Sequence, residues 1–167
     1  VSFGHGTTNA FDEAAWLVTW ALGLPLDALE TQAQRPITPA EFTKADDLVA
    51  RRIETRLPAA YLTKEAWLQN VPFYVDQRSI IPRSFIAELL PDGLASYLGP
   101  AEKVATALDL CTGSGCLAIL LAHAYPEADV DAVDLSTDAL TVAQRNVSDY
   151  GLADRITDAG LRCFGPS

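Results

Sequence analysis

The spacing of apolar positions changes several times along this chain, and each change predicts a different kind of element. From Asp12, the residues Ala14, Leu17, Val18 and Ala21 recur at helical intervals, and Gly23 with Pro25 closes that helix. A second helix is expected after Thr38-Pro39-Ala40-Glu41, a capping box with proline at the first helical position. Phe42, Ala45, Val49 and Ile53 mark its buried face as far as Leu57-Pro58. Trp16 and Trp20 lie four apart, the spacing of core or interdomain packing rather than of a pair that stacks on a ligand.

Between Ala66 and Ile81 the pattern shortens to aromatic and β-branched runs, Trp67-Leu68 and Phe73-Tyr74-Val75, separated by Gln69-Asn70-Val71-Pro72, which predicts a small connecting hairpin. Pro82 then introduces a helix through Phe85, Ile86, Leu89 and Leu90, which Pro91-Asp92-Gly93 interrupts or kinks before Leu98-Gly99-Pro100 ends it. Val104 to Leu108 is a compact apolar run, followed by a glycine turn and by the nearly all-apolar Leu117 to Ala122: strand, turn, buried helix. Ala128 to Asp134 supplies a second strand. Ser136 caps a helix whose inward face is Leu140, Ala143, Val147 and Tyr150, ended by Gly151. Strands alternating with helices imply an α/β fold with a parallel sheet.

The totals are those of a globular protein with a real core: 167 residues, 49% hydrophobic and 20% charged. Against 22 acidic residues stand 12 basic ones, a net charge of -10. Direct nucleic-acid binding is not expected at that balance, because affinity for a phosphate backbone comes largely from Lys and Arg, whereas a basic protein partner suits it. Cys111, Cys116 and Cys163 show no metal-ligand spacing and no disulfide framework. No apolar run approaches the roughly 18 residues of a membrane span. Together these give an expectation of a cytoplasmic protein without a metal site. Asn146-Val147-Ser148 fits a glycosylation acceptor only formally, since it falls on a predicted helix.

The chemistry is concentrated where the first predicted strand turns into a helix, at Asp109-Leu110-Cys111-Thr112-Gly113-Ser114-Gly115. In a doubly wound sheet ligands bind at the carboxyl ends of strands, and glycines there remove the Cβ that would keep the backbone away from them. Gly113 to Ala118 also matches GxGxxA, the fingerprint of a dinucleotide site, so an NAD-dependent oxidoreductase is a competing reading. Asp134, closing the second strand, does not discriminate, since either cofactor has a ribose for it to hold. Asp109 does discriminate: a buried anion repels a pyrophosphate but attracts the sulfonium and ammonium of S-adenosylmethionine. A carboxylate that only hydrogen-bonds the loop's N–H groups is the alternative role for Asp109, and the two roles are compatible.

Phe3-Gly4-His5-Gly6-Thr7, Ala60-Tyr61-Leu62-Thr63, Phe73-Tyr74-Val75-Asp76, Pro82-Arg83-Ser84, Asp109 to Cys116 and Val130 to Ser136 together resemble the HemK-like protein glutamine methyltransferases. Gly4-His5-Gly6-Thr7, Pro82-Arg83-Ser84 and Cys111 in place of a first loop glycine look like the bacterial branch that modifies a ribosomal protein. The resemblance runs from about Phe3 to Thr157. It implies a partial class I (Rossmann-like) methyltransferase sheet preceded by a small helical domain and a β-hairpin linker. The expected division is a helical substrate-recognition domain over 1–65, a linker over 66–81, and the first half of an S-adenosylmethionine-binding domain over 82–167. The implied reaction is methyl transfer to the side-chain amide nitrogen of a glutamine in the third large-subunit ribosomal protein, uL3. The cofactor residues it implies are Asp109, Cys111, Thr112, Gly113, Ser114, Gly115 and Asp134, with Phe73 and Arg83 as further pocket positions for which packing or an ion pair is an equal reading.

The likeness stops short at the catalytic motif. The family's Asn-Pro-Pro-Tyr, in which the Asn and a Pro carbonyl hold the glutamine amide while the Tyr packs beside it, occurs nowhere in the sequence, so no catalytic residue is assigned. After Thr157, Asp158 to Cys163 does not continue a β pattern, which suggests a truncated or frameshifted end, and no adenine contact is carried onto Asp158. Three readings therefore stand: an incomplete methyltransferase, a non-catalytic module that binds a ribosomal protein, and the oxidoreductase. A three-stranded sheet also leaves edges open to association.

Overall fold

The computed structural model describes residues 9–25, 27–90, 94 and 98–160. The Phe3 to Thr7 motif, the Pro91-Asp92-Gly93 interruption and Cys163 lie outside the described residues. Cα proximity divides the chain into two compact units, between Glu65 and Ala66.

The first unit is helical. α1 (Ala10–Ala21) starts at Asn9, whose side-chain carbonyl accepts from the Asp12 N–H, and α2 (Leu29–Gln32) is a single turn. α3 (Pro39–Thr55) begins with the expected capping box: Thr38 Oγ1 accepts from Glu41 N–H, and Glu41 accepts in return from Thr38 N–H. Those contacts hold the Glu41 carboxyl down to about 2, the Thr38 backbone bond being the main cause and the Arg35 guanidinium the next. α4 (Ala59–Thr63) completes the unit. Leu17, Ala21, Ala45, Leu48, Ala59 and Leu62 form the core, with Trp16 and Trp20 packed against it.

The buried face of α3 differs from the one expected. Ala45, Leu48 and Arg52 are buried, whereas Phe42 and Ile53 lie on the exposed side. Arg52 is accommodated on that face by a charge pair: its guanidinium donates from Nε and Nη2 to the Glu13 carboxylate at 2.9 and 3.2 Å, and both side chains are buried. On α1, Ala14 is exposed beside buried Glu13.

A hairpin opens at the boundary, its β1 (Glu65–Leu68) starting on the last residue of the first unit and its β2 (Val71–Tyr74) lying in the second. Its turn is only Gln69-Asn70, both with positive φ (51° and 60°), as two-residue hairpins require. Val71 and Pro72 belong to the strand rather than to the turn, and a proline is tolerated in a strand of a two-stranded sheet, where every strand is an edge. α5 (Phe85–Leu89) is capped by Ser84 and buries Ala87, leaving Phe85, Ile86 and Leu89 exposed.

β3 (Thr106–Leu110), α6 (Cys116–Ala124), β4 (Asp129–Asp134), α7 (Thr137–Asp149) and β5 (Ile156–Gly160) come next, with the strands ordered β3-β4-β5 and both pairings parallel. β3 starts and ends two residues later than the apolar run alone predicts. β5 continues through Asp158 to Gly160, correcting the expectation that the β pattern stops at Thr157. Pairing with Val130 to Asp134 supplies the ladder that residues 158–160 would not form by propensity. Arg155 closes the end of α6 by donating to the carbonyls of Ala122, Tyr125 and Ala128.

β4 alternates exposed Asp129 and Asp131 with buried Val130 and Ala132, and both α6 and α7 pack on the buried side. Leu108 and Leu110 stand on the opposite side of β3 from buried Asp109, and both are more than half exposed. Among the described residues β3 pairs only with β4, so an unpaired edge and two exposed leucines coincide, a combination that favours self-association. Leu108→Lys is accordingly expected to reduce concentration-dependent association in sedimentation velocity without changing the far-ultraviolet circular dichroism. Equal association in the variant would show that this edge is not its cause.

Candidate functional site

The glycine turn, Cys111 to Gly115, joins the end of β3 to the start of α6, and three of its residues have positive φ: Cys111 (63°), Gly113 (58°) and Gly115 (79°). Their reasons differ. At Gly115 a Cβ would lie 3.0 Å from the Ala143 Cβ and 3.1 Å from its Cα, so the missing side chain is what lets α7 pack against the turn. At Gly113 a Cβ would meet nothing nearer than Ile80 Cγ1 at 4.0 Å, so the backbone there faces open space that a ligand can approach. Cys111 is exposed and adopts a conformation that costs an L-residue about 1–2 kcal/mol.

Asp109 is buried on β3. Its Oδ2 accepts from Thr112 Oγ1 at 2.6 Å and from Ala118 N–H at 3.0 Å. Gly115, at the N-cap of α6, has no side chain to cap the helix, so Asp109 satisfies the third N–H of the first turn from the neighbouring strand, where the helix dipole also favours an anion. The bracing role weighed for Asp109 is therefore present. Burial pushes its carboxyl above the ordinary carboxylate range, the bonds from Thr112 and Ala118 offset part of that rise, and the charge of Asp134 adds to it.

Asp134, at the end of β4, is half-buried. Its Oδ2 accepts from Gly113 N–H at 2.8 Å and its Oδ1 from Ser136 N–H at 2.9 Å. Thr112 N–H continues the sheet by donating to the Val133 carbonyl, and Gly115 N–H donates to the Thr112 carbonyl. The turn is thus held by both carboxylates at the carboxyl ends of adjacent parallel strands. Cys116 is buried, which pushes its thiol up to about 11 and leaves it an unreactive packing group.

The other expected site residues lie elsewhere. Phe73 is in the core, its ring 5.7 Å from that of Tyr150, and Arg83 is exposed. Asp76, to which the resemblance assigned no role, is buried, accepts from Tyr74 Oη and the Arg78 guanidinium, and is held well below the usual carboxylate range chiefly by Arg78. The sequence singled out Asn146 only as a formal glycosylation acceptor. That side chain is 1% exposed and hydrogen-bonded through both its oxygen and its nitrogen, out of reach of modification.

Residues 4–63 match the PrmC N-terminal domain family, and residues 92–161 match the Methyltransferase small domain family. The Ribosomal protein uL3 glutamine methyltransferase of Bordetella pertussis is 56% identical over 157 residues, 94% of this chain and 53% of the relative. Its namesake in Burkholderia pseudomallei is 56% identical over 156 residues, covering 93% and 51%. Along nearly its whole length the chain is thus similar to the HemK-like methyltransferases. Across 163 residues it is also 50% identical to the protein of the same name from Bradyrhizobium diazoefficiens, covering 94% and 51%. The chain spans about half the length of the curated relatives it matches.

Enzymes of the HemK-like family take S-adenosylmethionine as cofactor, and the turn fits that group on its own terms. An open backbone position at Gly113 lies beside two carboxylates, a donor set that suits a cation and a ribose and opposes a pyrophosphate. The NAD reading that GxGxxA kept open is disfavoured by the same geometry. Among the described residues no helix is long and apolar enough to cross a membrane.

Proposed function

We propose that this chain is the cofactor-binding part of an S-adenosylmethionine-dependent methyltransferase acting on a glutamine side-chain amide of ribosomal protein uL3. Carrying this reading is the 56% identity, sustained over nearly the whole chain, to a relative named for that reaction. When bound, the cofactor supplies a methyl group made electrophilic by its sulfonium.

Asp134 accepts the ribose hydroxyls, for which its oxygens retain lone pairs beyond those used by Gly113 and Ser136. Asp109 supplies negative potential for the cationic end of the cofactor. Cys111, Thr112, Gly113, Ser114 and Gly115 present backbone to it, while Phe73, in the core, and Arg83, exposed, keep packing or an ion pair as an equal reading. Residues 1–65 form the substrate-recognition domain, 66–81 the linker and 82–167 the first half of the cofactor domain. The net charge of -10 suits a basic ribosomal protein, encountered in the cytoplasm, without direct contact to nucleic acid.

Because Asn-Pro-Pro-Tyr is missing from these residues, the chain alone is expected to bind S-adenosylhomocysteine but to transfer no methyl group. Adding the separately expressed C-terminal half of the Bordetella relative is expected to restore labelled methyl incorporation into uL3. Binding of uL3 with no incorporation even after the C-terminal half is added, or label on a residue other than glutamine, would refute the assignment.

Asp109 gives a prediction with a defined sign. Its folded pKa is raised above the ordinary 3.8, so the folded state binds more protons than the unfolded one between those two values. The stability it contributes is complete below the ordinary value and is lost as pH rises through the folded one. Above the ordinary value, burial of this carboxyl therefore opposes folding in the absence of a cation. Asp109→Asn is expected to leave the thermal midpoint at pH 7 unchanged or higher, while weakening S-adenosylmethionine relative to uncharged-sulfur S-adenosylhomocysteine by roughly tenfold. A lower midpoint together with equal losses for both ligands would assign Asp109 to bracing alone.

A further inference from the structure

Asn146 lies on α7, outside the glycine turn, and uses every hydrogen-bonding capacity of a primary amide apart from a second acceptor lone pair. Its Oδ1 accepts from Tyr74 N–H at 2.8 Å, and its Nδ2 donates to the Tyr74 carbonyl at 2.9 Å and to the Ser114 carbonyl at 2.8 Å. The first two bonds copy a strand's ladder onto the last residue of β2. The third reaches the peptide between Ser114 and Gly115, at the crown of the turn. Asparagine offers one acceptor and two donors in a plane at this reach, and among short side chains no other does.

The same helix face also carries Ala143, one turn earlier, against which Gly115 is packed. From Tyr74 the chain runs through the Asp76–Arg78 pair to Ile80, the side chain nearest the open position at Gly113. One buried amide therefore ties together the turn, α7 and the segment that approaches the turn from the other side. Its partners in sequence lie 72 and 32 residues away.

We propose that Asn146 is a positioning residue for the cofactor: by fixing the Ser114 carbonyl and Tyr74 to one amide, it sets the orientation of the Ser114–Gly115 peptide and the closeness of the 74–80 segment to Gly113, and so sets cofactor affinity. This rests on the reading of residues 109–115 and Asp134 as the cofactor site.

Asn146→Asp, Asn146→Ser and Asn146→Ala separate positioning from packing. Aspartate keeps the acceptor for Tyr74 N–H but, when ionised, turns two donors into a negative charge against two carbonyl oxygens; when protonated it regains one donor. N146D is therefore expected to bind S-adenosylhomocysteine at least tenfold more weakly than wild type at pH 8 and to recover part of that loss by pH 5.5, whereas N146S and N146A lose affinity without recovery. The titratable or charged neighbours are Asp109, Asp134, Cys116, the Asp76–Arg78 pair and Arg145, whose guanidinium stacks 3.5 Å from the Tyr74 ring. All are shared with wild type, whose own pH profile is the control.

Amide hydrogen exchange on the cofactor-free chain supplies a reading that does not depend on the ligand. In N146S and N146A the Gly115 N–H, bonded to the Thr112 carbonyl, is expected to lose at least tenfold protection while the Val130 N–H, bonded to the Arg155 carbonyl, keeps its own. Unchanged protection at Gly115, or equal loss at Val130 as in global unfolding, overturns the proposal. If wild type binds no S-adenosylhomocysteine, the cofactor reading fails and the exchange result alone decides whether Asn146 positions the turn.

Discussion

Gly115→Ala is expected to destabilise the second unit by about 2–5 kcal/mol and to abolish measurable binding of S-adenosylhomocysteine. Two costs combine. The backbone at φ 79° lies in the left-handed region, which costs a residue with a Cβ about 1–2 kcal/mol. The added Cβ also meets Ala143 at 3.0 Å, including backbone at 3.1 Å, so α7 must shift, and overpacking of that kind typically costs about 1–3 kcal/mol. Gly151→Ala is the natural control. Its φ is 66°, but nothing lies within 4 Å of the new methyl group, so it carries the conformational cost alone. Urea unfolding of both variants measures the difference; equal midpoints would mean that the approach of α7 to the turn is not tight.

In the first unit, Arg52→Leu is expected to cost about 3–5 kcal/mol, because it leaves the Glu13 carboxylate buried without its partner. Replacing both partners, Glu13→Leu with Arg52→Leu, is expected to recover most of that loss, since a buried ion pair contributes little more than apolar residues of similar volume. A double variant as unstable as the single one would show that the bidentate geometry, rather than the avoidance of a lone charge, stabilises α1 against α3.

These two sites mark where the sequence could and could not be read. Features within one turn of a helix were legible: the Thr38–Glu41 box and the Ser136 cap arise from local donor and acceptor positions, and both form. The parallel strand-turn-helix unit and its carboxylates were legible because two glycines mark the turn and because acids stand at the ends of the strands.

The face of α3 was not legible. A periodicity argument ranks Phe42 and Ile53 above Arg52, and the partner that accommodates the buried arginine, Glu13, lies on another helix. β5 was cut short for a related reason, since residues 158–160 are held by pairing with β4 rather than by their own preference. Asn146 was hidden most completely. A polar asparagine beside Arg145 on a helix looks solvent-facing until the fold delivers Tyr74 and Ser114 to it.

The proposed function turns on one property: a turn flanked by Asp109 and Asp134 that accepts an adenosyl cofactor with a cationic end and refuses a dinucleotide. Isothermal calorimetry of the chain with S-adenosylhomocysteine and with NAD, side by side with Asp134→Asn, tests it most directly. The expected result is binding of S-adenosylhomocysteine that weakens at least tenfold in the variant, with no measurable heat from NAD. Preferential binding of NAD would overturn the assignment.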